Sequence, residues 1–183
     1  MGRHFQIKFN PTDLQYYLKN LGHGFGTFIK INEWTEIKNN FLLGIGENYI
    51  VFTLGIDDDM RINEHMSNNH DEALKDLINL KIFSGNIRHG KLSFSPKQEE
   101  FIIGRSPDCD VIIDDNMLSR FHCTVQFRKK KWYIIDGIIN KESNKIISST
   151  NGTWKFPFQD TVISDGMIFK ANHNLFICSF TNS

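Results

Sequence analysis

Four short motifs in the second half of the chain combine side chains that could hold a phosphate group. They are Gly104-Arg105, Ser119-Arg120-Phe121-His122, Thr150-Asn151 and Gly152-Thr153. Each motif adjoins an apolar, strand-like run, so each is expected on a loop. Together they offer a guanidinium, a hydroxyl and a carboxamide, which are suitable groups for holding a phosphorylated peptide.

The chemistry of a phosphate monoester suits three of these side chains. The phosphate carries about −1.5 to −2 charges near neutral pH and offers three acceptor oxygens. Arg105, at the end of a predicted strand, can present a planar fork of donors to two of those oxygens. Ser119 adds a hydroxyl donor, and the amide of Asn151 can pair with the peptide main chain. Arg120 is a further source of positive charge.

The same motifs do not predict an enzyme. Ser119 and His122 lie three residues apart at a strand entry, where they would not obviously align for proton transfer. The sequence contains no G-x-S-x-G, Walker, kinase-lysine or H-E-x-x-H motif, and its cysteines and His122 lack zinc spacing. We therefore expect a binding protein without catalysis, cofactor or metal.

The charge balance restricts the class of partner. Lys and Arg total 21, Asp and Glu total 21, and the formal net charge of the 183 residues is zero. A general nucleic-acid binder normally has a basic excess, so nucleic acid is not expected as a partner. A compact basic pocket remains compatible with a neutral chain.

Cysteine usage and hydropathy predict a cytoplasmic or nuclear protein. Cys109, Cys123 and Cys178 are odd in number and far apart, which argues against a disulfide framework. No apolar run approaches the roughly 20 residues that a membrane-spanning helix needs. The N-terminus also lacks the apolar region of a signal peptide, so we expect no membrane association.

Short alternating runs predict an all-β fold. Cys123, Val125 and Phe127 alternate with Thr124, Gln126 and Arg128, and comparable runs recur at close intervals, separated by Gly, Asn and Asp turns. Many short strands with such turns are typical of an antiparallel β-sandwich.

One polar stretch interrupts the strands and predicts a domain boundary. It opens with Asp57-Asp58-Asp59 and runs to about Asn69, and the residues from Glu72 to Leu80 could form a short helix. We therefore divide the sequence into residues 1–55, a linker at 56–79 and a complete domain at 80–183.

The two flanking segments contain an internal repeat with four matches in the same order. His4 to Phe9 parallels His122 to Phe127, Tyr16-Tyr17-Leu18 parallels Trp132-Tyr133-Ile134, Gly26-Thr27-Phe28 parallels Gly152-Thr153-Trp154, and Gly46 to Phe52 parallels Ala171 to Ile177. We call residues 1–55 the first copy and residues 80–183 the second copy. The first copy lacks a counterpart of everything that precedes His122.

The second copy resembles the forkhead-associated (FHA) domain, a β-sandwich that binds phosphothreonine peptides. The resemblance covers about Leu80 to Phe180 and is carried by Gly104-Arg105, by Ser119 with His122, and by Asn151-Gly152. It implies partner proteins that contain phosphothreonine, and a role in signalling or assembly. The first copy looks like the later half of a second, degenerate FHA unit.

The resemblance also implies roles for the remaining residues of the site. Thr150 would contribute a second hydroxyl, and Asn151 would contact the peptide main chain. His122 would be a structural brace for the loop, and Gly104 and Gly152 would be permissive backbone positions. The long loop from Ile138 to Ser149 is the expected place for reading residues beside the phosphothreonine.

The first copy lacks these groups and is not expected to bind phosphate. Phe25 occupies the position of Asn151, Met1 that of Ser119, and no Gly-Arg pair precedes His4 at the spacing of Gly104-Arg105 from His122, since Gly2-Arg3 adjoins His4 directly. A half-sandwich would expose unpaired edges. The sequence could be cut, the second copy could cover the gap, or self-association or a partner could supply strands. Another hypothesis for the whole chain is a structural subunit that does not depend on phosphate.

Overall fold

The computed structural model describes residues 3–55, 75–84 and 87–181. Strands dominate these ranges, with a short 3₁₀ helix at Pro96–Gln98. The strands, in chain order, are β1 (Phe5–Asn10), β2 (Gln15–Asn20), β3 (Thr27–Lys30), β4 (Thr35–Glu36), β5 (Phe41–Ile45), β6 (Asn48–Leu54), β7 (Ile78–Ser84), β8 (Ile87–Phe94), β9 (Glu100–Gly104), β10 (Val111–Ile112), β11 (Cys123–Arg128), β12 (Lys131–Asp136), β13 (Ile138–Ile139), β14 (Ile146–Ile147), β15 (Trp154–Lys155), β16 (Thr161–Val162), β17 (Ile168–Ala171) and β18 (Asn174–Ile177).

The chain divides into two compact units. Unit 1 comprises residues up to Lys30 together with those from Trp154 onward, and unit 2 comprises Ile31–Thr153. These boundaries differ from those predicted from the repeat, at residues 55 and 80. Strands β4 to β6 of the first copy lie in unit 2, where β4 pairs with β12 and β6 pairs with β7 of the second copy.

Unit 2 is a sandwich of two sheets. One sheet has the order β10-β9-β11-β12-β4 and the other includes β5-β6-β7-β8. Neighbouring strands are antiparallel except β9 and β10, which are parallel. Side chains from both sheets form one buried cluster that includes Leu43, Ile50, Phe52, Leu80, Phe101, Val125, Trp132 and Ile134. This burial is the main source of stability for the scaffold that carries the site.

Unit 1 contains fewer strands and a smaller core. Its sheets have the orders β1-β2-β16 and β18-β17-β3-β15. Four buried side chains form its described core, namely Leu18, Ile29, Ile163 and Phe169. The rings of Phe169 and Phe176 stack at a centroid distance of 4.9 Å, and Phe5 meets both edge-on.

The predicted all-β, antiparallel architecture is confirmed. Residues 56–74 of the predicted linker at 56–79, and with them residues 72–74 of the predicted helix at 72–80, lie outside the described residues. Strand β7 begins at Ile78, inside that predicted helical segment, because Ile78 and Leu80 are buried in the core of unit 2. In the ranges that the structure describes, no helix has the length and apolar character needed to cross a membrane.

Candidate functional site

All eight residues of the predicted site lie in unit 2, on or beside three loops. Gly104 ends strand β9, and Arg105 begins the first loop. Ser119 and Arg120 lie in the second loop, which precedes β11, and the third loop follows β14. Thr150, Asn151 and Gly152 follow the β13–β14 hairpin. Hydrogen bonds connect these three loops, although they are distant in sequence.

Arg105 is held at its base and exposed at its tip. Its main-chain N–H donates to the Ser119 carbonyl at 3.2 Å, and its Nε donates to the Leu118 carbonyl at 2.9 Å. Among the described residues, the terminal nitrogens Nη1 and Nη2 have no hydrogen-bond partner. The side chain is exposed, so this end of the guanidinium can bind an anion from solution.

Ser119 and Thr150 connect the second loop to the third. The Thr150 N–H donates to the Ser119 hydroxyl oxygen at 2.9 Å, and the Ser119 hydroxyl donates to the Thr150 hydroxyl at 3.3 Å. Ser119 is half-buried and Thr150 is exposed. Two hydroxyl groups are therefore adjacent at the surface of the sandwich.

Asn151 makes a second connection between the same loops. Its Nδ2 donates to the main-chain carbonyl of Met117 at 2.7 Å. Both Asn151 and Met117 are exposed. This contact fixes the orientation of the carboxamide, because it distinguishes the nitrogen from the oxygen.

His122 is fully buried beneath the loops. Its Nδ1 accepts the Ser119 N–H at 3.2 Å, so Nε2 carries the proton and donates to the Gly152 carbonyl at 3.2 Å. Burial lowers the pKa of His122, and this outweighs Asp136, the Gly152 carbonyl and Asp115, which raise it. A neutral imidazole with both nitrogens bonded to main chain is a brace between loops.

The geometry does not assemble Ser119 and His122 as a nucleophile and base. The contact between them uses the Ser119 main-chain N–H, whereas the Ser119 hydroxyl contacts Thr150. Nucleophilic catalysis by serine requires the hydroxyl within reach of the base.

Arg120 is exposed, and its backbone closes the first loop. Its carbonyl accepts the Ser106 N–H at 2.9 Å and the Cys109 thiol at 3.1 Å. A Cβ atom on Gly104 would lie only 2.3 Å from this carbonyl oxygen. Glycine is therefore required at position 104 by close approach of the backbone.

Asp136 organises the third loop and was not predicted from the sequence. This buried carboxylate accepts the Ser149 hydroxyl at 2.6 Å, the Ser149 N–H at 3.3 Å and the Thr153 hydroxyl at 2.7 Å. The Ser149 oxygen in turn accepts the Gly152 N–H at 2.9 Å. The available signal was an acidic residue ending a strand whose neighbours are apolar.

Asp115 organises the second loop and was also missed. Its Oδ1 accepts the Met117 N–H at 2.7 Å, and its carbonyl accepts the Leu118 N–H at 3.0 Å. Its Oδ2 accepts the Glu47 N–H at 2.9 Å and the Asn48 amide at 2.7 Å. The last two contacts join residues distant in sequence, which no local pattern reveals.

The loop expected to read the flanking residues is an ordered hairpin. Strands β13 and β14 pair, and the side chain of Asn140 caps the turn by accepting the N–H groups of Glu142 and Ser143. The hairpin begins at Gly137, whose N–H donates to the His122 carbonyl at 2.7 Å. Its outer residues, 141–148, are exposed.

No curated protein and no solved structure matches the chain significantly. The sequence model of the FHA domain matches residues 101–170. This range includes every predicted site residue from Gly104 to Gly152, and the three loops that they occupy. Residues 101–170 therefore match an FHA domain, and FHA domains are phosphopeptide-binding protein-interaction modules.

Proposed function

We propose that the chain binds partner proteins phosphorylated on threonine, using Arg105, Ser119, Arg120, Thr150 and Asn151. The observation that carries this proposal is that the Arg105 side chain is anchored at one end and exposed at the other. Its Nε is anchored on the Leu118 carbonyl while the rest of its guanidinium faces solvent. An arginine held in this way presents a fork of donors whose geometry matches a phosphate.

The hydrogen bonds among the loops support the proposal energetically. The contacts of Ser119 with Thr150, and of Asn151 with Met117, hold the ligand groups in place before the peptide arrives. Binding then costs less ordering of side chains and loops. The hydroxyls of Ser119 and Thr150 would exchange their mutual contact for the phosphate oxygens.

A preference for threonine over serine requires an apolar contact for the extra methyl group. Met117 is 50% exposed, and its carbonyl binds Asn151. We assign this side chain as the apolar neighbour of the threonine methyl. A methyl contact of this kind contributes only about 1 kcal/mol, so phosphoserine would bind several-fold more weakly rather than not at all.

Selection of one partner over another would come from the β13–β14 hairpin. Lys141, Glu142 and Lys145 are exposed on it, and Ile146 and Ile147 add exposed apolar surface. These charges favour a peptide with acidic residues beside the phosphothreonine. The partner would be met in the cytoplasm or nucleus, where the three free cysteines remain reduced.

Titration of a peptide library against the full chain tests this function. Each peptide is prepared with phosphothreonine, phosphoserine and unmodified threonine, and binding is measured by fluorescence anisotropy. We expect phosphothreonine peptides to bind, unmodified peptides not to bind, and Arg105→Ala to abolish binding while the thermal melt is preserved. Equal binding of modified and unmodified peptides would reject the proposal and favour a scaffold that ignores phosphate.

A further inference from the structure

The later parts of the two sequence copies correspond without gaps. Counting onward from Thr27 and Thr153, identical residues recur at three further positions. Thr35 corresponds to Thr161, Ile37 to Ile163, and Asn48 to Asn174. Both isoleucines are buried, each in the core of its own unit.

Backbone geometry follows the same correspondence. Corresponding residues have similar positive φ angles. The angle is 78° at Gly26 and 75° at its counterpart Gly152, and it is 60° at Asn40 and 73° at its counterpart Gly166. Gly46 and Asn172 both have φ of 53°. The earlier alignment of Gly46 with Ala171 was thus wrong by one residue, because the left-handed turn residue lies at 172.

Strand pairing shows that the corresponding segments have changed places. In unit 2, Thr35 of the first copy pairs with Ile134 of the second, and Glu36 pairs with Tyr133. In unit 1, Thr161 of the second copy pairs with Leu18 of the first, and Val162 pairs with Tyr17. Leu18 corresponds to Ile134, so the two pairings have the same register with the copies interchanged.

A main-chain hydrogen bond next to these strands repeats the interchange. The Ile37 N–H donates to the Trp132 carbonyl at 2.8 Å in unit 2, and the Ile163 N–H donates to the Tyr16 carbonyl at 2.8 Å in unit 1. Tyr16 and Trp132 are corresponding residues. Each copy thus begins in one unit and ends in the other.

The two copies pair with each other close to the residues where each passes from one unit to the other. In the antiparallel pair β3–β15, Ile29 pairs with Lys155, its own counterpart. The FHA match at residues 101–170 is continuous in sequence, yet residues 101–153 belong to unit 2 and residues 154–170 to unit 1. In a domain without exchange, residues 154–170 of the match would lie in unit 2. Residues of the first copy occupy that place instead.

We propose that the first copy is a strand donor, whose residues 31–55 complete the sandwich that bears the phosphopeptide site and position its second loop. The binding part of this inference rests on the proposed function, whereas the strand exchange does not. The degenerate copy thereby has a role that does not require it to bind phosphate itself.

The positioning acts through the turn between β5 and β6. The Glu47 N–H and the Asn48 amide both bind Oδ2 of Asp115. A Cβ atom on Gly46 would lie 2.2 Å from that oxygen and 2.6 Å from a methyl carbon of Leu118, so the turn fits closely against the loop. The carbonyls of Met117 and Leu118 then hold Asn151 and Arg105.

The donated strands also supply part of the core. Leu43, Ile45, Ile50 and Phe52 are fully buried in the cluster that includes Phe101 and Trp132. Removing them would open a large cavity beside the strands that carry the site. Both the packing and the loop contacts of unit 2 therefore depend on the first copy.

Two double-cysteine variants of the full chain test the exchange. Glu36→Cys with Tyr133→Cys places two thiols on directly paired residues of β4 and β12. Paired residues of antiparallel strands have Cα atoms about 4.5 or 5.5 Å apart, within the range that a disulfide bridges. Val162→Cys with Tyr133→Cys is the matched variant that an unexchanged arrangement would bridge.

Mild oxidation followed by peptide mapping gives the result. We expect an intrachain disulfide in the first variant and none in the second. A disulfide only in the second variant would overturn the exchange, and a disulfide-linked dimer of the first would assign the donated strands to another chain. Wild-type protein is the control, since burial raises the pKa of Cys109, Cys123 and Cys178 and disfavours their reactive thiolates.

A second pair of variants tests the positioning of the loop. Asn48→Ala removes a donor to Asp115, whereas Asn174→Ala changes the exposed corresponding residue in unit 1. We expect Asn48→Ala to weaken binding of a phosphothreonine peptide roughly tenfold, the equivalent of one lost hydrogen bond to a charged group. Asn174→Ala should bind like the wild type.

Amide signals in a ¹H–¹⁵N spectrum separate a local effect from general destabilisation. In Asn48→Ala, the signals of Met117 and Leu118 should shift while that of Phe169 in unit 1 stays in place. Unchanged affinity of Asn48→Ala would overturn the positioning role. If the wild-type chain binds no phosphopeptide, the proposed function fails, and the disulfide result still decides the exchange.

Discussion

The Ser119 hydroxyl accepts the N–H of Thr150 at 2.9 Å and donates to the hydroxyl of the same residue at 3.3 Å. One side chain thus joins two loops that are 31 residues apart. The same hydroxyl is a proposed phosphate ligand. If the proposal is right, loop geometry and phosphate binding are coupled through this one atom.

Ser119→Ala should weaken phosphopeptide binding at least tenfold, since it removes a phosphate donor and the tie to Thr150. Thr150→Val keeps its main-chain N–H and loses only the second hydroxyl, so its loss should be smaller. Calorimetric titration of both variants with one phosphothreonine peptide checks this order. Equal losses would assign the two hydroxyls the same role.

Arg105→Lys should bind phosphopeptide at least tenfold more weakly than the wild type. Lysine keeps the charge but cannot provide both the Nε contact to the Leu118 carbonyl and a bidentate contact to phosphate. Arg120→Lys is the matched control and should lose little, because Arg120 is expected to contribute mainly long-range charge. Affinities measured at two salt concentrations would distinguish the loss of a bidentate contact from a change in long-range electrostatic attraction, because salt screens the latter.

Asp136→Ala should lower the free energy of unfolding by about 3 kcal/mol, because the donors of Ser149 and Thr153 would be left buried without their acceptor. Chemical denaturation gives this value. Asp165→Ala is a control at an exposed position whose carboxylate accepts only the Phe180 N–H among the contacts of the described residues. A loss below 1 kcal/mol in Asp136→Ala would contradict the assigned role.

Unit 2 should lose stability as the pH falls below about 6.5, the ordinary pKa of histidine. Burial lowers the pKa of His122 in the folded chain, so the unfolded chain binds the proton more readily and acid favours unfolding. The stability that neutral His122 contributes is fully present above pH 6.5, and it is lost as the pH falls through the pKa of His122 in the folded chain. Protonation would also place a hydrogen on Nδ1 facing the Ser119 N–H.

Melting temperatures at pH 7.5 and 5.5 test this sign. The wild type should melt lower at pH 5.5, and His122→Gln should show a smaller difference between the two values. His23→Gln, at an exposed position, should keep the wild-type difference. An increase of wild-type stability at pH 5.5 would contradict the neutral, buried state of His122.

Local patterns predicted the architecture and the candidate residues. Alternation in Cys123 to Phe127 gave strand β11, and the Gly-Arg, Ser-x-x-His and Asn-Gly motifs placed the eight residues on loops that the structure joins by hydrogen bonds. Such features depend on neighbouring residues, which a sequence displays directly.

Features that depend on distant residues were not predicted. Asp115 binds Glu47 and Asn48 across 68 and 67 residues. The repeat was visible, but sequence similarity is the same whether a strand pairs within its own copy or with the other. Only the register of β4 with β12, and of β16 with β2, distinguishes the two arrangements.

The ion pair between Glu36 and Lys131 spans 95 residues and lies where β4 meets β12. During synthesis, β4 leaves the ribosome long before its partner strand exists, and it stays without that neighbour until residue 136 has emerged. Pairing over such a separation is slow and leaves apolar segments exposed in the nascent chain. The sandwich that bears the proposed phosphopeptide site is thus completed late in translation.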